Sequence, residues 1–414
     1  MLAHPEVSLL ADGRALSDLR QGVTLEVMGE DSMGPLNDRM KEQMRSQQSD
    51  IHFKVDWTTL GQYLTSLERR GISPNVASFV SAGTLRTLVL GEDDVAPTPE
   101  QLAFMQRLVH EAMEAGAIGF GTSVSVSHNG FAGKPVPSRQ AAVEEMDALV
   151  SVMGELKRGL MQITIGRDFS TRHMAEVSRK YNVPVTWTAL LSHLYGPGGH
   201  RKQLDLAAEQ RKSGAIVIPQ VSCRPLNFEF TFAEPFIFDV MKFMNELAVA
   251  DAKEPGTRRR AYADPAWREK LRSEVTPLFR NWWDRVVIAW APNHKELEEQ
   301  PLASAAAKLG KDPVDLALDV ALANNLQARF RMAVMNFDET EVAELITDPH
   351  TIIALSDAGA HASQLCDACY STHLLGHWVR ERKTFTIEQA VHQLTQRPAE
   401  MFGITDRGVL ATGR

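Results

Sequence analysis

Short runs of consecutive apolar residues alternate along this chain with longer stretches whose apolar positions recur every three or four residues. The runs at 23–28, 74–80, 117–121, 160–165, 183–188, 215–220, 285–290 and 351–357 read as strands. Stretches at 102–115, 139–156, 170–181, 202–212 and 313–324 read as helices, and a further apolar run surrounds Met332–Met335. The strand runs are continuously apolar, as in a parallel sheet covered on both faces. About seven or eight βα units in succession predict an α/β protein, a (β/α)8 TIM-type barrel more than two small domains. A doubly wound sheet is the alternative, but no G-x-G-x-x-G follows the first strand. Residues 225–284, rich in aromatic residues, proline and charge, interrupt the alternation and read as an insertion over the barrel mouth, a lid.

Composition narrows the function classes. The chain has 414 residues, 44% hydrophobic and 23% charged, which is the balance of a folded globular protein. No apolar run approaches membrane-spanning length. The net charge of −8 argues against a nucleic-acid binder, which needs a basic surface to displace counterions. Three cysteines exclude a disulfide scaffold and suit the reducing cytoplasm. The first residues lack the basic and apolar regions of a signal peptide. The last, Gly408 to Arg414, have turn chemistry with nothing after it, so the intact protein is expected to be longer.

In a barrel of this kind the chemistry lies at the C-terminal ends of the strands. Asp357 ends an uncharged run there, where a carboxylate can ligate a metal and take a proton from its bound water, or simply cap the next helix. Glu30 and Asp31 end the first strand, and either can face a metal or belong to a solvated loop. His128, His193 and His200 follow strands; taken singly, each reads as readily as a surface or packed histidine as a ligand. Arg224 ends another strand, where a guanidinium can clamp a substrate carboxylate or form a structural ion pair. Cys366 and Cys369 form a lone C-x-x-C, weak as a zinc or redox signal. No G-x-S-x-G elbow is present.

Several ordered motifs together resemble the D-aminoacylase (N-acyl-D-amino-acid deacylase) branch of the amidohydrolase superfamily. They are Gln21-Gly22-Val23-Thr24, Gly71-Ile72-Ser73-Pro74-Asn75-Val76-Ala77-Ser78-Phe79-Val80 and Glu114-Ala115-Gly116-Ala117-Ile118-Gly119-Phe120. Ser356-Asp357-Ala358-Gly359-Ala360-His361, Leu374-Leu375-Gly376-His377-Trp378 and Arg397-Pro398-Ala399 follow. The resemblance implies a zinc-dependent barrel that hydrolyses the amide of an N-acyl-D-amino acid, a small substrate bearing a carboxylate. It implies that Asp357 ligates the metal and passes the water's proton to the leaving amine. It places a metal ligand at Glu30 or Asp31, with Glu30 preferred, and matches His193 to a metal histidine; His361, like Arg224, is a candidate substrate contact. His128 can compensate for a missing ligand.

The chain also departs from that pattern. The family's first strand carries an H-x-H pair that this sequence starts just after, and His4 alone does not replace it. Thr164-Ile165-Gly166 stands where the family has a metal-binding histidine. The family's small β-sandwich domain is missing or incomplete. Three readings therefore remain: a metal-dependent deacylase, a barrel that has lost its metal and serves as a binding protein, and a cyclic-amide hydrolase. The last needs a lysine ending a middle strand, and there is none.

Overall fold

The computed structural model describes residues 3–46, 48, 51–126, 128, 135–166, 169–235, 238, 241–274, 283–356, 358–359 and 369–412. The chain divides into two compact units. One holds the described residues of 1–224, 338–360 and 367–414, and the other those of 225–337.

The first unit is built on a parallel sheet of seven strands. These are β1 (Leu25–Met28), β2 (Asn75–Ser81), β3 (Gly119–Ser123), β4 (Leu160–Thr164), β5 (Val185–Thr188), β6 (Val217–Val221) and β10 (Ile352–Ile353). They are hydrogen-bonded in that order, each parallel to the next. Every residue of β3 and β5 is buried, which explains the unbroken apolar runs. Helices Leu60–Arg70, Pro99–Glu114, Val143–Leu156, Thr171–Tyr181, Gly199–Lys212 and Glu339–Thr347 precede successive strands from β2 to β10. Their starts are written locally: Thr59 with Gln62 and Thr98 with Gln101 form capping boxes, and Pro99 begins its helix.

The N-terminal residues bridge the two edges of this sheet. The Ala3 N–H donates to Val27 of β1 at 3.0 Å, and the His4 N–H donates to Ala358, just past β10, at 2.8 Å. Glu6 follows, with its carboxylate buried and accepting the Gly29 N–H at 2.8 Å. Burial pushes the Glu6 carboxyl above its ordinary value; nearby His4 works against this and nearby Asp31 adds to it.

One expected barrel strand and the further apolar run lie elsewhere. The runs near 285–290 and 332–335 become β8 (Val286–Trp290) and β9 (Arg329–Met335) of the second unit. With β7 (Leu226–Phe230) they form an antiparallel sheet, β9 in the middle. The reason is visible in β9, where Arg329 and Arg331 alternate with the buried Phe330 and Met332, the pattern of a sheet covered on one face. Phe230 stacks on Phe330 at 5.6 Å and Phe232 meets the same ring edge-on at 5.4 Å. The stretch 225–284 thus belongs to a unit of its own that runs on to Phe337.

A buried ion pair joins helices Ala82–Val89 and Val143–Leu156: Arg86 donates to Glu145, with side chains 1% and 3% exposed. Arg86→Met is expected to cost about 3–5 kcal/mol by leaving the Glu145 charge unpaired. Adding Glu145→Leu should recover most of the loss, with urea unfolding as the measurement. Glu26 of β1 is a second buried carboxyl, and its Oε1 has no hydrogen-bond partner among the described residues. Burial first, and then Asp18, pushes its pKa from 4.5 to about 7. A raised acid destabilises the fold fully above the folded value and not at all below the unfolded one. Glu26→Gln should therefore raise the unfolding midpoint near pH 8 and leave it unchanged near pH 4.

Candidate metal centre and barrel mouth

The loop after β5 is pinned before it reaches its functional residue. Leu190 is fully buried, and its N–H donates to Gln220 of β6 at 2.9 Å. Gly196 and Gly198 turn the chain at φ +80° and +73°, and His193 itself sits at φ +64°, an uncommon conformation for a residue with a side chain. Glu341 of helix Glu339–Thr347 holds this loop. Its buried carboxylate accepts the Gly198 N–H at 2.6 Å and the His193 N–H at 3.2 Å. Asp338 caps the same helix, with Oδ1 accepting the N–H groups of Thr340 and Glu341 at 2.9 and 3.2 Å. Those hydrogen bonds, led by the one from Glu341, hold the Asp338 carboxyl below its ordinary value, with the His193 interaction adding to them.

Three side chains converge as a result. His193 Nε2 lies 3.6 Å from Asp338 Oδ2 and 3.9 Å from Glu341 Oε2. Among the described residues, this is the one group of three or more His, Cys, Asp or Glu side chains close enough to share an ion. One imidazole nitrogen and two carboxylate oxygens are a zinc-type donor set. Bonds of about 2.0–2.2 Å in a tetrahedron separate ligand atoms by roughly 3.3–3.5 Å, so modest closure suffices. The same atoms can form His–carboxylate ion pairs, and metal analysis decides between the two. His200 stands behind the group, with Nε2 2.8 Å from Glu344 and Nδ1 3.5 Å from Glu341. Arg201 first and His200 second draw the Glu344 carboxyl down to about 2.

The other sequence candidates fall in different places. Glu30 is buried and accepts a hydrogen bond from the Thr164 hydroxyl at the end of β4. Gly121 makes this reach possible: a Cβ there would lie 3.1 Å from the Gly29 carbonyl oxygen and 3.5 Å from Glu30 Cα. Asp31, the next residue, is exposed. His128 turns back onto β3, with Nδ1 2.6 Å from the Ser123 hydroxyl. Arg224 is buried, with Nη1 3.9 Å from Cys369 Sγ. Its charge helps hold the His373 pKa down, after burial and His377. Asp357, His361 and Cys366 lie outside the described residues.

The structure thus groups His193 with Asp338 and Glu341, and not with Glu30, Asp31 or His128. Asp338 and Glu341 carried a sequence signal: an acidic N-cap followed three residues later by Glu, ahead of an apolar helical repeat. The strand ends around Glu30 carry hydroxyls, with Thr164 2.7 Å from Thr188.

Comparison with known proteins places this architecture. Residues 261–414 match the amidohydrolase family. The chain is similar to an uncharacterized protein of Mycobacterium bovis, 25% identical over 97% of this chain and 71% of that protein. It is also similar to the N-acyl-D-glutamate deacylase of Alcaligenes xylosoxydans, 26% identical over 86% of this chain and 62% of that enzyme. The crystal structure of the N-acyl-D-glutamate deacylase from Bordetella bronchiseptica, complexed with zinc and a phosphonate inhibitor, superposes with a TM-score of 0.62. At 22% identity it covers 100% of this chain and 76% of its own. The parallel sheet is therefore that of a TIM-type barrel, the fold this structure shares. No helix among the described residues is long and apolar enough to cross a membrane.

If His193, Asp338 and Glu341 hold the metal, His193→Ala and Glu341→Gln should each lower zinc affinity at least about tenfold. Zinc titration with a competing chelator measures this, and Asp31→Asn serves as the control that leaves affinity unchanged.

Proposed function

We propose that this protein is an amidohydrolase that hydrolyses the amide of an N-acyl amino acid, with zinc held by His193, Asp338 and Glu341. The convergence of those three donors beside the strand ends carries this reading. The deacylase relatives point to the amide class, and their names to D-configured, carboxylate-bearing substrates. When bound, zinc polarises a carbonyl and lowers the pKa of a water.

The chain's own groups then have defined tasks. The N–H groups of His193 and Gly198 fix Glu341, and the Asp338 cap fixes its own Oδ2 toward His193. The resemblance assigns proton acceptance and transfer to the leaving amine to Asp357, which follows Ser356 in the sequence. Arg224 is retained as the candidate clamp for the substrate carboxylate.

One observation favours a second reading, a barrel that binds an amide without cleaving it. Glu30, where the resemblance implies a metal ligand, accepts from the hydroxyl of Thr164, in the segment that replaces a metal-binding histidine of the family.

Purified protein loaded with zinc should retain about one equivalent and release free amino acid from a panel of N-acetyl-D-amino acids. Asp357→Asn should abolish turnover while the circular dichroism spectrum and melting midpoint stay in place. Protein that retains no zinc and releases no amino acid would favour the binding reading.

A further inference from the structure

Beyond the candidate metal centre, one set of buried polar groups is organised in a way that packing does not require. Gln220 of β6 donates from Nε2 to Gln162 Oε1 of β4 at 2.6 Å. Gln162 donates from Nε2 to the Thr188 hydroxyl of β5 at 3.1 Å. Thr188 and Thr164 share a hydrogen bond at 2.7 Å, and Thr164 donates to Glu30 beyond β1. Gln162, Gln220 and Thr188 are 0%, 0% and 5% exposed.

The direction of this chain follows from counting hydrogens. A hydroxyl has one to give. Thr164 gives its hydrogen to Glu30, so toward Thr188 it accepts. Thr188 then gives its own to Thr164 and accepts from the Gln162 amide. The Gln162 carbonyl is left to accept from Gln220. Four residues on three adjacent strands therefore donate in series toward one carboxylate. The far end, Gln220 Oε1, is buried with no hydrogen-bond partner among the described residues. A hydrogen bond to a charged acceptor is stronger than one between neutral groups, and serial donors polarise one another. Gly121 leaves the space through which Glu30 meets this series.

We propose that Thr164 and Thr188, backed by Gln162 and Gln220, are positioning residues that hold the Glu30 carboxylate across the barrel mouth as an acceptor for an N–H of the bound amide substrate. The inference rests on the amide-hydrolase reading for its substrate, and on the hydrogen-bond series for its geometry. Thr164→Val keeps the shape of the side chain and removes the last donor.

The test is a double-mutant cycle of Thr164→Val with Glu30→Gln, read in kcat/KM for an N-acyl amino acid and, separately, in the urea midpoint. Thr164→Val is expected to lower kcat/KM about tenfold. Thr164→Ser should recover activity to within about twofold, because it restores the hydroxyl. The double variant should be no worse than Glu30→Gln alone, since Thr164 acts only through Glu30. Independent, multiplying losses would overturn the proposal, as would failure of the serine variant to recover activity. If wild-type protein cleaves no N-acyl amino acid, the function reading fails by itself. The urea-midpoint cycle then still decides whether Thr164 and Glu30 are coupled, with additive midpoint shifts overturning the series. Should Thr164→Val not fold, Gln162→Leu interrupts the same series one step further back and takes its place in the cycle.

Discussion

A carboxylate taken out of water must be met by donors, and the local form of this protein around its candidate metal centre depends on how Glu341 is met. Glu341 takes backbone N–H groups from His193 and Gly198, five and ten residues past the end of β5. That arrangement turns the loop, sets His193 in a left-handed conformation, and brings its imidazole toward Asp338. The helix that carries Glu341 leads directly to β10, so the last barrel strand and the candidate metal donors are located by one element. Without the carboxylate, two half-buried N–H groups would lose these partners and the loop would lose what holds its shape.

The same constraint acts at the edges of the sheet. Seven parallel strands leave β1 and β10 as edges, and residues 3 and 4 supply hydrogen bonds to both sides. His4, which alone does not replace the family's histidine pair, has its backbone in that gap. Glu6 then secures the Gly29 turn, from which Glu30 crosses over Gly121 to β4. The geometry of the mouth therefore starts with the first described residues of the chain.

Much of the barrel was legible because its signal is local. Continuous apolar runs such as those of β3 and β5 record burial on both faces, and Thr98-Pro99 and Asp312-Pro313 mark helix starts by their own chemistry. The second unit was less legible, because two sheets share one kind of residue. An apolar run such as Val286–Trp290 does not say whether its neighbour will be parallel or antiparallel. The alternation Arg329-Phe330-Arg331-Met332 contained the answer. At the candidate site, His193 could be picked from its place after a strand. Its partners Asp338 and Glu341 lie some 145 residues further on, and nothing local announces that contact.

By itself the sequence determined the succession of strand and helix, the caps, and the positions where carboxylates and imidazoles follow strands, since these depend on neighbours within a few residues. It also carried the likeness to a deacylase family whose fold the structure shares. Only the tertiary structure decided that Glu30 and not Asp31 turns inward, that His193 meets Asp338 and Glu341, and that Thr164, Thr188, Gln162 and Gln220 donate in series. These are choices among equally polar residues. They are settled by which donors and acceptors the folded sheet brings within about 3 Å, a distance at which a hydrogen bond forms and which no pattern along the chain encodes.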